Sequence, residues 1–161
     1  MPSLMRYINI VSRCATIWRS DKLEGTEIGD QHYSYILVVC RRPGISQDAI
    51  SRRLFINKSN VTRSLAYLEE HGFVTRERDP EDRRSTLVYP TEKALDILPK
   101  VREIIRGWNA YITDGFTEEE MEMYMSMTER IAARAAEYAK LSSDAYTDLD
   151  GAVKKPKEDN R

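Results

Sequence analysis

Apolar residues recur three and four positions apart at both ends of this chain, and in shorter, mixed patterns between them. Leu4, Tyr7, Ile8, Val11, Ala15 and Trp18 form one stripe, which predicts a helix over 4–19. The polar connector DKLEGTEIGD fills 21–30, and QHYSYILVVC predicts a second, short helix ended by Pro43-Gly44. Ser46 is placed to cap SQDAISRRL, with Ala49, Ile50 and Leu54 facing inward. Only Phe55 and Ile56 separate that helix from the next, which Asn57 caps, Val61, Leu65 and Leu68 anchor, and Gly72 stops. FVTRERD and STLVYP are rich in β-branched and aromatic residues and flank a charged DPEDRR tip, the pattern of a hairpin.

Thr91 then opens a long helix with Ala94, Leu98, Val101, Ile105, Trp108 and Ile112 in phase. Pro99 lies inside it and predicts a kink, since the phase persists beyond. Thr117 and Glu120 make a capping box for a last helix, with Met121, Tyr124, Thr128, Ile131, Ala135 and Tyr138 on its inner face. From Ser142 the chain is polar and unpatterned, so 142–161 is expected to be a disordered tail. Stripes contributed by both chain ends can close an intramolecular bundle or pack on a second copy. A small domain with long apolar stripes favours the copy.

The helix beginning at Asn57 is polar first and apolar later. In a helix-turn-helix the second helix puts its N-terminal part into the major groove of a duplex. Asn57, Lys58, Ser59, Asn60, Thr62 and Arg63 suit that place. Short polar side chains let the backbone approach, donate or accept at base edges, and leave N–H groups for phosphates. Arg63 has the fork for a guanine and Lys58 the charge for a phosphate. The plainer alternative is a capped helix start facing solvent. The hairpin tip weakens it, because Arg76, Arg78, Arg83 and Arg84 supply all its positive charge, and arginine is the cation drawn into narrow minor grooves.

Charge supports this unevenly. The 161 residues carry a net charge of −1, yet residues 41–84 hold ten Lys/Arg against seven Asp/Glu, and 114–150 hold three against ten. No run of eighteen or more apolar residues exists, so no membrane span is expected. Arg6, Asn9 and Arg13 interrupt the N-terminal stretch, which points away from secretion and to a cytoplasmic protein. Two cysteines, Cys14 and Cys40, make no disulfide framework, and with only His32 and His71 no metal site or cofactor is expected. No Gly-rich phosphate loop, nucleophile elbow or paired-His motif appears, so no catalytic residue is assigned and the chain is not read as an enzyme.

Residues 45–94, ISQDAISRRLFINKSNVTRSLAYLEEHGFVTRERDPEDRRSTLVYPTEKA, resemble the MarR family of winged helix-turn-helix transcription regulators. The likeness lies in the SQ-led helix, the NKSNVTR helix start, the LEEHGFV exit, the D-x-R of Asp82 and Arg84, and the run to Thr91. It departs from the family pattern at Pro90, at Ala94 and at Phe55, which stands in the inter-helix turn where glycine is frequent.

The resemblance implies a mainly α fold with a small β-hairpin wing. Residues 1–29 and 91–141 would then be the dimerisation regions and 30–90 the DNA-binding region. Arg84 becomes the minor-groove arginine of the wing, oriented by a charge-assisted bond that it donates to Asp82, with Arg78 and Arg83 beside it. The expected function is a homodimeric, ligand-responsive repressor binding double-stranded DNA on a pseudo-palindromic operator. Small aromatic or phenolic effectors are the family's ligands, and Trp18, Tyr33 and Trp108, with Tyr35 and Tyr111, are the aromatic candidates here. Aromatics at helical spacing are also ordinary core.

Peroxide-sensing members carry a cysteine near Cys14, but a small core residue on an amphipathic face is the expected role. Two rival readings stay open: a winged helix used only for protein interaction, and a thiol-based redox regulator acting through Cys14.

Overall fold

A computed structural model of the chain describes residues 3–139. The expected tail from Ser142 lies outside them. Helix α1 (Leu4–Leu23) leads through a 3₁₀ turn (Asp30–His32) into α2 (Tyr33–Arg41). A two-residue strand β1 (Ile45–Ser46) precedes α3 (Gln47–Leu54) and α4 (Lys58–Glu70). Strands β2 (Val74–Arg78) and β3 (Thr86–Pro90) form the hairpin, and α5 (Glu92–Ile112) and α6 (Glu118–Tyr138) follow.

Local chemistry accounts for most boundaries. The side chains of Ser46, Asn57, Thr91 and Thr117 accept backbone N–H bonds from Ala49, Asn60, Ala94 and Glu120, and the capping box at Thr117–Glu120 is complete. At the end of α4, Gly72 adopts φ +73°, which lets Phe73 N–H reach Leu68 C=O at 2.8 Å. Thr91 fastens α5 to the same corner, its hydroxyl donating to Gly72 C=O at 2.7 Å. Helix α5 continues through Pro99.

The sheet has three antiparallel strands in the order β1-β3-β2, one more than the hairpin pattern predicts. Ile45 pairs with Val88 and Ser46 with Leu87 on one side of β3, while Val74–Arg78 pair with Pro90–Thr86 on the other. The core lies between α2, α3, α4, the sheet and the first half of α5. Ile36, Ile50, Leu65, Leu68 and Val88 are fully enclosed in it.

The chain ends behave differently from this centre. Only Ala15 and Leu23 of α1 are buried, and Leu4, Tyr7, Ile8 and Val11 of the expected stripe face solvent in the single chain. In α6 the expected inner face is likewise open in the single chain. Tyr124, Thr128, Ile131, Ala135 and Tyr138 are exposed, Met121 and Ala132 are half-buried, and Ala136 alone is buried. Among the described residues, helix α6 adds none to the core cluster. Cys14 is corrected: it is exposed, because α1 has no packing partner at that level in the single chain.

Candidate nucleic-acid interface

Helices α3 and α4 meet through a turn whose central residue, Phe55, is left-handed (φ 56°, ψ 34°), the only such non-glycine among the described residues. Ser51 hydroxyl holds the turn by donating to Ile56 C=O at 2.6 Å. The apolar half of α4 is thereby fixed: Val61, Leu65 and Leu68 are each within 1% of full burial. Its first turn is left in solvent.

That first turn is already organised. Asn57 Oδ1 accepts from Asn60 N–H and from Ser59 hydroxyl, both at 2.9 Å. Arg63 Nη2 donates to Asn60 Oδ1 at 2.9 Å, and Thr62 hydroxyl donates back to Lys58 C=O at 2.9 Å. The six sequence-predicted residues are all exposed; Asn57, Ser59, Asn60 and Arg63 form one bonded set, in which Asn57 is first a cap and Asn60 and Arg63 are coupled, and Lys58 and Thr62 form another. Helices α3, α5 and α6 carry acids in their first turns, whereas α4 carries none and opens with Lys58. A cation there opposes the helix dipole, and an approaching anion would meet the dipole unneutralised. Lys58 is 2.8 Å from Asp48 of α3, with both side chains largely in solvent, so the pair is weak and open to exchange for a phosphate.

The wing tip is built by two aspartates. Asp79 Oδ1 accepts from Glu81 N–H at 2.9 Å, and Asp82 Oδ1 from Arg84 N–H at 3.0 Å; Ser85 N–H closes the loop onto Asp82 C=O. The expected bond from Asp82 to the Arg84 guanidinium is corrected: the carboxylate is used on the backbone. It orients Arg84 by fixing the turn, and Arg83 and Arg84 stay exposed with no ion pair among the described residues. Arg78 is likewise exposed at the end of β2. Arg76 is not a candidate for touching DNA. Its Nε donates to Glu69 Oε2 at 2.9 Å and its Nη2 to the same oxygen, tying the wing to α4 and holding the Glu69 carboxyl below its ordinary pKa.

Trp18 and Trp108 meet with ring centroids 5.9 Å apart, Tyr111 stacks on Trp18 at 5.7 Å, and Trp18 Nε1–H donates to Ile104 C=O at 3.1 Å. Tyr33 lies under the Arg19 guanidinium, beside a crevice with Leu23, Val101, Ile104 and Ile105 that has no room for a water-sized sphere. Tyr35 is core. Burial pushes the Cys40 thiol up to about 11, partly countered by Arg102, so it is an unreactive thiol at neutral pH. Among the described residues no group of His, Cys, Asp and Glu is arranged to hold a metal ion, and no helix is long and apolar enough to cross a membrane.

A family model described as the MarR family matches residues 27–85, the span from the 3₁₀ turn to the wing tip. A MarR transcriptional regulator from Methanosarcina mazei Go1 has the same fold, with a TM-score of 0.79 and 26% identity, over 84% of this chain and 97% of that one. Residues 27–85 therefore carry the MarR-family pattern. The fold around them is that of winged-helix transcriptional regulators. An uncharacterised HTH-type regulator of Bacillus subtilis, YybA, is 23% identical over 81% of the chain and 87% of its own length. A Listeria monocytogenes protein of MarR type, solved in complex with a 26-mer DNA, shares the fold at a TM-score of 0.80 and 22% identity, covering 85% of this chain and 91% of that one.

Proposed function

We propose that the chain is a homodimeric repressor that binds a pseudo-palindromic duplex, one α4 per half-site, with half-site centres about 10 base pairs apart. The observation that carries this is the exposed, cross-bonded start of α4, with Ser59, Asn60, Thr62 and Arg63 offering base-edge chemistry and no acid in its first turn. Lys58, Arg78 and Arg83 supply phosphate contacts and Arg84 enters the minor groove. Residues 30–90 are the DNA-binding region. Residues 1–29 and 91–141 are the dimerisation regions, where the exposed apolar residues of α1 and α6 (Leu4, Tyr7, Val11, Tyr124, Ile131) find their cover. The protein acts in the cytoplasm. A small aromatic or phenolic effector binding near Trp18, Tyr33 and Trp108 releases it, by favouring one spacing of the two winged helices over another.

Selection from a random duplex library tests the reading, repeated with aromatic acids and with peroxide. A shared, two-fold symmetric motif supports it, and recovery of unrelated sequences sinks it. The exposure of Cys14 favours a second reading, a thiol-based regulator. Loss of binding in peroxide that Cys14→Ser prevents would establish it.

A further inference from the structure

The chain's only two histidines grip one residue of the recognition helix. His32 stacks on Tyr67 with centroids 4.4 Å apart and planes within 12°, and His71 stacks on Tyr67 at 3.9 Å. Tyr67 lies on the protein side of α4, and its hydroxyl donates to Glu27 C=O at 3.0 Å. The stack thus joins the segment after α1 to the second half of α4. The two histidines are held differently. His71 Nδ1 has a partner, Tyr67 C=O at 2.8 Å. His32 is 3% exposed, and its Nδ1 has no hydrogen-bond partner among the described residues.

We propose that the His32–Tyr67–His71 stack is a proton switch on DNA binding: with neutral imidazoles it seats the recognition helix, and a proton on His32 unseats it. The inference rests on the DNA-binding reading above and names a regulator of that site. A charged imidazole cannot keep its place, since it would put an unpaired N–H into a closed site and face His71 across one ring. Attraction to the Tyr67 face offsets part of this cost. Exit is short, because Gly29 covers Nδ1 with no side chain (a Cβ there would stand 3.8 Å away) and lines an open groove with Glu27, Asp30 and Tyr67.

The other charges nearby are already matched. Asp30 pairs with Arg19 of α1, Glu27 with Lys93 of α5, and the first turn of α2 carries no acid. Burial first, then His71, holds the His32 pKa below its ordinary 6.5. The closed state is therefore favoured above that value. It loses stability as pH falls below it, because the open state then takes the proton more readily.

The sign distinguishes this from simple electrostatics, in which histidines near a polyanion gain protons and tighten binding in acid. The test uses the full chain and the tightest duplex recovered by selection. Affinity is expected to fall by about tenfold from about pH 7.5 to about pH 5.5, near the limit for one linked proton of this pKa. His32→Phe, which keeps a flat buried ring, should flatten the profile, and His71→Gln should leave a shallower fall. Imidazole NMR titration of the wild type is the second readout: duplex should lower the His32 pKa further, as reciprocity requires. Affinity that is constant or rises in acid, or a His32 pKa raised by duplex, overturns the switch while leaving the DNA-binding reading intact. Failure of every duplex to bind at pH 7.5 overturns both.

Discussion

Replacing Asn57 by Asp separates the two jobs of that residue. A carboxylate at the cap accepts the same bonds from Asn60 N–H and Ser59 hydroxyl. It also places negative charge at a helix start that has no acid in its first turn, a gain of about 0.3–1 kcal/mol. The folded protein should therefore melt about 1–4 °C higher. Duplex binding should move the other way. At about 6 Å from a phosphate the added charge costs about 0.7 kcal/mol with water-like screening and about 3 kcal/mol at an effective dielectric of about 20. That is a loss of roughly three- to hundredfold per half-site. Asn57→Ser keeps a neutral cap and should hold stability near the wild type, whereas Asn57→Ala should lose about 1 kcal/mol. Thermal melts and fluorescence anisotropy with a labelled duplex at low salt read both effects. Affinity unchanged in the Asp variant would show that the start of α4 does not lie among phosphates.

Arg84→Ala should weaken duplex binding and reduce the slope of log affinity against log salt by about 0.9 for each phosphate it no longer neutralises, with the melting point unchanged. Phe55→Gly should stabilise the fold by about 0.5–1 kcal/mol, because it relieves a left-handed backbone at some cost in chain entropy; a lower melting point would mean the Phe55 ring is needed where it is. Arg76→Ala should cost about 1 kcal/mol, modest because solvent screens the pair. Since Arg76 holds the Glu69 carboxyl below its ordinary 4.5, that difference should be full above this pH and fade as pH falls past it, so melts of variant and wild type should converge in acid.

What the sequence reveals and what it hides divide by range. Caps at Ser46, Asn57, Thr91 and Thr117 are legible because each acts on an N–H three residues away. The aberrant Phe55 is visible as a residue out of place in a turn. Strand β1 is not visible, because Ile45 and Ser46 become a strand only by meeting Val88 and Leu87. Arg76 looks like a fourth wing arginine until Glu69, seven residues earlier on α4, claims it. The face of α6 and the exposure of Cys14 depend on what packs there, which helical spacing alone does not specify. The His32–Tyr67–His71 stack joins distant segments, and no local pattern connects His32 to the other two. The exposed polar start of α4 is the most legible part of the candidate site, since it rests on one helical turn.

Hydroxyl-radical footprinting of the full chain on its selected duplex probes the account most directly. Paired α4 starts and wings predict protections related by a two-fold axis, with half-site centres about 10 base pairs apart and flanking minor-groove cover that Arg84→Ala removes. Protection of one unsymmetrical patch, or none at protein concentrations that saturate dimer formation, would contradict it.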